Sequence, residues 1–173
     1  MPKVHYVKKS RKDNPAVKKG QPYYWWEFRY GGKRYSATEP KPYQLTQSPY
    51  KAAALQLQER IESMHQVELK DLDDAKEEIV EEIQQMLDEA QDSLDNIPEH
   101  LQETHMLYER VEQTQEWIDA LESVDTDVDM VDLALEVDQE GMTAKEADEA
   151  LEAHVIEKRD ELVEELEAAY PGF

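Results

Sequence analysis

The first hydrophobic pattern in the chain has a period of two. Tyr23-Tyr24-Trp25-Trp26-Glu27-Phe28-Arg29-Tyr30 concentrates the ring side chains that favour strands. Alternation sends Tyr24, Trp26, Phe28 and Tyr30 to one face and Tyr23, Trp25, Glu27 and Arg29 to the other, so one face is expected to be core and the other functional. Gly31-Gly32 can supply the positive φ angles of a tight hairpin, with Lys33-Arg34-Tyr35-Ser36-Ala37-Thr38 as the return strand. Val4, Tyr6 and Val7 predict a short earlier strand over about residues 3–9. A polar loop with Asn14-Pro15 and Gly20-Gln21-Pro22 separates it from the hairpin. The expectation is a small three-stranded antiparallel sheet in residues 1–40.

The period then changes. Glu39-Pro40-Lys41-Pro42 opens a semi-extended linker over 41–48, and Ser48-Pro49 reads as a helix start with Ser at the N-cap and Pro at the first helical position. From Lys51 to about Leu94 there is no Gly or Pro, and Ala, Leu, Gln, Glu and Lys dominate, which predicts one uninterrupted helix. Its apolar stripe repeats every eleven residues, at Ile61, Leu72, Ile83 and Leu94, beside Met64, Ala75, Met86 and Ile97. That interval suits nearly straight packing rather than a left-handed heptad coil. Asn96-Ile97-Pro98 breaks the pattern. A second helix over about 98–123 presents Leu101, His105, Tyr108, Val111, Ile118 and Leu121, and suits an antiparallel hairpin with the first. Thr143 and Glu146 make a capping box for a third helix running to about Ala169, with Ala147, Leu151, Val155, Leu162 and Leu166 inward. The predicted fold class is therefore α+β, a small N-terminal sheet followed by an elongated acidic helical hairpin or bundle over 49–173.

Charge divides the chain at the same place. Residues 1–51 hold twelve Lys or Arg against Asp13, Glu27 and Glu39, a net +9, whereas residues 52–173 hold seven bases against thirty-eight acids, a net -31. Seven of the nine Tyr and two of the three Trp also lie before residue 52. This asymmetry points to two modules with different partners. The total of -22 argues against binding of DNA or an anionic membrane by the whole surface. The basic head can still neutralise phosphates through Lys8, Lys9, Arg11, Lys12, Lys18, Lys19, Arg29, Lys33 and Arg34. Exposed Trp25 or Tyr23 would stack on bases or deoxyribose.

The basic lead followed by Tyr-Tyr-Trp-Trp-Glu-Phe-Arg-Tyr-Gly-Gly-Lys-Arg-Tyr-Ser, over about residues 3–40, resembles the N-terminal arm-type DNA-binding sheet of phage tyrosine recombinases. It is also similar to the start of proteins encoded by tailed phages. The resemblance implies a three-stranded sheet that contacts DNA in the major groove. Strand exchange does not carry over, because the remaining 130 or so residues show neither room nor pattern for the recombinases' Arg, His and Tyr constellation.

Other chemistry finds little support. Without Cys there are no thiolate metal sites, disulfides or cysteine nucleophiles. Asp125, Asp127, Asp129 and Glu136 fall at positions one, three, five and twelve of a calcium loop, but Met130 stands where the loop needs Gly and Asp132 where it needs an apolar residue. A short helix capped by Asp127 and carrying Val128, Val131 and Leu135 is the better reading. His100 and His105 are five apart rather than four, and His65 and His154 are isolated and expected to be hydrogen-bonded rather than metal ligands. Neither a nucleophile elbow nor a P-loop or Rossmann fingerprint occurs. Neither a catalytic residue, nor a metal site, nor a cofactor is assigned, and the chain is read as a non-enzyme.

No apolar run approaches the roughly 18 residues that span a bilayer, and Met1–Lys12 lacks the apolar core of a secretory signal, so a cytoplasmic protein is expected, in the host cytoplasm if phage-encoded. The favoured function is a phage-type accessory protein that binds nucleic acid through the basic sheet and self-associates or docks a protein through the acidic helices, with a homo-oligomer as one outcome. The alternative is a DNA-mimic inhibitor of a host nuclease, restriction system or polymerase. Residues 71–99 hold twelve acids, and at ~1.5 Å rise per residue their linear density approaches that of a DNA strand.

Overall fold

The computed structural model describes residues 1–102, 106–137 and 142–172, the His100 side chain excepted. The sheet is three-stranded and antiparallel, in the order β1 (His5–Val7), β2 (Tyr23–Phe28), β3 (Gly32–Ser36). Helices follow: α1 (Pro49–Ser63), α2 (Leu72–Asp95), the single turn α3 (Glu99–Gln102), α4 (Met106–Glu122), the short α5 (Met130–Glu136) and α6 (Ala144–Ala168). The α+β architecture expected from the change of period is present. The chain forms two compact units, Met1–Gln56 and Leu57–Phe173, with the border inside α1. The stretch expected as a semi-extended linker carries a 3-10 turn at Pro42–Leu45.

In the first unit, β2 is the central strand, with His5, Tyr6 and Val7 opposite Trp25, Tyr24 and Tyr23, and Tyr35, Arg34 and Lys33 opposite Trp25, Trp26 and Glu27. This register puts Tyr24, Trp26, Phe28 and Arg34 on one face. Trp26 is buried, with Val17 and Pro40 as other buried residues of the unit, so this is the core face. The hairpin turn uses its two glycines differently. Gly32 takes φ +72°, whereas Gly31 has ordinary φ but lies so close under the Gln47 amide that a Cβ would collide with it.

In the second unit the single long helix expected from Lys51 to Leu94 is two helices. Between them Met64–Gln66 and Leu69–Asp71 form 3-10 turns, and Val67 and Glu68 are extended. No Gly or Pro causes this break. Burial does, since the turn lets Ile61 and Met64 on one side and Leu69 and Leu72 on the other all enter the core, and tertiary burial outweighs helix propensity. The reversal is recorded by Arg60, which pairs with Glu78 and Glu82. In one continuous helix Glu82 would stand ~33 Å away.

The eleven-residue stripe survives the break: Ile61, Leu72, Ile83 and Leu94 are all buried. α2 and α4 pack side by side as an antiparallel hairpin, fixed at its open end by a polar network. Thr126, itself buried, donates to Asp73 at 2.6 Å, and the Lys76 ammonium bridges Asp73 (3.1 Å) and the Val124 carbonyl (3.1 Å). The Thr126 hydroxyl, then Lys76, hold the Asp73 carboxyl below the usual carboxylate range. Trp117 is fully buried and meets Tyr170 edge-on, with ring centroids 5.2 Å apart.

Several inward assignments change. Leu101 is exposed and His105 lies outside the described residues, whereas Ile118 and Leu121 are buried as expected, Thr114 and Trp117 are buried with them, and Tyr108 and Val111 are half-buried. On α6, Leu162 and Leu166 are buried together with Val163, while Ala147, Leu151 and Val155 are only half-buried. The capping box of Thr143 and Glu146 is present as expected. The cap of α5 is Asp129, two residues later than expected, with its side chain accepting from the Val131 N–H at 2.7 Å. Leu133 is the buried residue of α5, and Val131 and Leu135 are exposed.

Candidate nucleic-acid interface

The face of the sheet opposite Trp26 is built from side chains that alternate with the core: His5 and Val7 on β1, Tyr23, Trp25 and Glu27 on β2, Lys33 and Tyr35 on β3. Its rings are half-buried rather than covered. His5 stacks on Trp25, with centroids 4.3 Å apart and planes within 11°. From the other flanking strand the Lys33 ammonium lies 4.6 Å from the centre of the same indole, and Tyr23 and Tyr35 lean together at 6.1 Å. The Trp25 indole thus carries an imidazole from one side strand and an ammonium from the other, a positively flanked ring plate rather than a bare one.

Lys8, Lys9, Arg11 and Lys12, with Lys18 and Lys19, are exposed on the connection between β1 and β2. That connection is held by its own hydrogen bonds. Buried Ser10 exchanges backbone bonds with Gln21 and Gly20 at 2.9 Å, and its hydroxyl donates to the Lys12 carbonyl. The Asn14 side chain accepts from the N–H groups of Ala16 and Val17, both at 2.9 Å. Asp13 accepts from the Lys19 N–H at 2.7 Å. The six cations therefore project from a fixed frame. Within this unit none of them forms an ion pair with Asp13, Glu27 or Glu39, so their charge is not neutralised there.

The nine expected site residues separate into four groups. Tyr23, Trp25 and Lys33 share the ring face. Lys8, Lys9, Arg11 and Lys12 stand at the end of the sheet where Val7 pairs with Tyr23, and Arg29 stands at the opposite end, in the turn, with its guanidinium 5.3 Å from the Tyr30 ring centre. The six residues of β2 put roughly 17 Å between these ends. Arg34 is not with them. It pairs with Trp26 and lies on the core side of the sheet, because it is one residue out of phase with Lys33.

His5 and Tyr35 belong to the face but were not among the expected residues. Tyr35 was accessible from sequence, since a turn at Gly31-Gly32 sets it opposite Trp25; His5 required the register of β1, which a three-residue strand does not reveal. No known protein family, no curated protein and no solved structure matches the chain. Among the described residues no helix is long and apolar enough to cross a membrane. Of the acids of the calcium-like segment, Asp125 accepts from the Asp127 N–H, Asp129 caps α5 and Glu136 pairs with His154.

Proposed function

We propose that the Met1–Gln56 unit binds nucleic acid, with Lys8, Lys9, Arg11, Lys12, Arg29 and Lys33 on phosphates and the ring face around Trp25 and Tyr23 against the groove or the sugars. The observation that carries this reading is the set of exposed, locally unpaired cations on a hydrogen-bonded loop beside a half-exposed aromatic face. Cations held in a fixed frame lose little freedom on meeting phosphates, and the counterions they release drive association. Arg34 leaves the set of phosphate ligands, since it is out of phase with the others. The acidic Leu57–Phe173 unit supplies a protein-docking or self-association surface. The whole is an accessory protein of the kind the phage resemblance implies, working in the host cytoplasm.

The test is binding of duplex and single-stranded oligonucleotides at low salt by the full chain and by the variant Lys8→Gln, Lys9→Gln, Arg11→Gln, Lys12→Gln. Binding by the parent and its collapse in the variant are expected. No binding by the parent, or equal binding by both, removes the reading.

One observation favours the mimicry reading for the second unit. The outward row of α2, with Asp74, Glu77, Glu81, Asp88, Glu89 and Asp92, is exposed, Arg60 pairs with only Glu78 and Glu82 beside it, and the helix's one cation, Lys76, is turned inward onto Asp73. A host nuclease inhibited by the full chain in competition with DNA would support it. Unchanged nuclease activity at saturating protein would end it.

A further inference from the structure

On the core side of the sheet lies a cavity of about 370 Å³ that the nucleic-acid reading does not use. Trp26, Phe28 and Tyr43 give it aromatic walls, and Arg34, Gln44 and Gln47 bring polar groups to it from β3 and from the turn after Pro42. Its size lies within the range of small-ligand sites. No carboxylate lines it, so its polar lining is weighted towards donors. The Gln44 carbonyl oxygen already accepts from the Lys41 N–H at 2.9 Å, which leaves its NH2 group to donate into the space. The Arg34 guanidinium is in no ion pair with the acids of its own unit, and the Trp26 indole N–H is buried without a hydrogen-bond partner. A side chain at Gly31 would displace the Gln47 amide from this position.

We infer that this cavity binds a small molecule in which a flat ring carries an oxyanion, the ring lying against Trp26, Phe28 and Tyr43 and the anion meeting Arg34 with the Gln44 and Gln47 amides. Two sources share this chemistry, a nucleoside monophosphate and an aromatic carboxylate. The inference does not rest on polymer binding, which uses the other face, and either can fail without the other.

The experiment titrates the full chain with adenosine 5′-monophosphate, benzoate, adenosine and inorganic phosphate. It follows the indole N–H resonances, assigned to Trp25, Trp26 and Trp117. A saturable shift of the Trp26 resonance with the monophosphate or with benzoate is expected, and which of the two saturates at lower concentration identifies the source. Arg34→Gln, a substitution at an exposed position, should weaken that ligand about tenfold or more while leaving the free spectrum intact, as befits loss of a charge-assisted bond. The proposal is overturned if neither ligand shifts Trp26 up to about 10 mM, a range in which even weak sites fill. Equal affinity in Arg34→Gln, or adenosine binding as well as its monophosphate with benzoate not binding, would overturn it too.

Discussion

Trp25 and Trp117 show how differently the two units use the same side chain. Trp117 has no exposed surface and touches Tyr170 edge-on, in a unit whose buried residues are mostly leucine and isoleucine. Trp25 is half-buried, is held between His5 and Lys33, and faces away from its unit's core. Charge follows the same division. No charged residue lies between 52 and 56, so Met1–Gln56 carries the net +9 and Leu57–Phe173 the net -31. In the helical unit, apolar burial must hold like charges together. In the sheet unit, a small core leaves rings and cations at the surface. The lesson is that the acidic unit is organised around its interior and the basic unit around its exterior.

The sharpest way to break this comparison is to perturb each unit in turn. Trp117→Ala should cost about 3–5 kcal/mol, the usual range for deleting a fully buried large ring, read by thermal or denaturant unfolding of the helices, with oligonucleotide affinity unchanged. A loss below about 1 kcal/mol would mean that the interior is not packed as described. Gly32→Ala forces a side chain into a left-handed conformation and should cost roughly 1–2 kcal/mol in the sheet unit, seen in the ring signals of Trp25 and Trp26 and not in helical circular dichroism. A variant as stable as the parent would show that the turn does not hold this conformation. Lys33→Gln removes one phosphate ligand and the ammonium over Trp25, a cation–π contact worth about 0.5–1 kcal/mol at an exposed site. Modestly weaker nucleic-acid binding with unaltered melting of the helices is expected, and unchanged binding would remove Lys33 from the interface.

The smallest effect concerns pH. His65, on the turn between α1 and α2, stands 3.0 Å from Asp160 and 3.3 Å from Glu167, both on α6. The Asp160 hydrogen bond, opposed by burial, raises the imidazole above its usual value, while His65 and then Arg159 hold Asp160 below the carboxylate range. The His65 contribution is complete below the imidazole's unfolded pKa and is lost as pH rises through the raised folded value. The Asp160 contribution is present above the ordinary carboxylate value and is lost as pH falls through the depressed one. α6 should therefore be held most firmly at about pH 4 to 6.5. His65→Gln should flatten the fall in melting temperature above that window and shrink the loss on the acid side, where Arg159 alone then holds Asp160. Parallel profiles for parent and variant would show that the imidazole does not titrate against α6.

Much of this was legible in sequence because periodicity reports which face is buried. The alternation in Tyr23–Tyr30 separated Trp25 from Trp26, and the eleven-residue spacing identified Ile61, Leu72, Ile83 and Leu94 as core. The break after Ser63 was not legible, since it comes from a reversal that buries Leu69 and Leu72 rather than from a helix-breaking residue. The same holds for Leu101, whose helical spacing suited burial but which the short α3 leaves exposed. For the candidate interface, residue type gave the cations. Only strand register showed that Arg34 leaves the group and His5 joins it.

The salt dependence of oligonucleotide binding tests the central claim most directly. If the β1–β2 loop of the full chain is a phosphate-binding frame, the logarithm of the binding constant falls linearly with the logarithm of salt concentration. Neutralising Lys8, Lys9, Arg11 and Lys12 together should make that slope shallower by up to about 3.6 on duplex DNA, or about 2.8 on a single strand. A parent slope near zero, or the same slope in the neutralised variant, would contradict it.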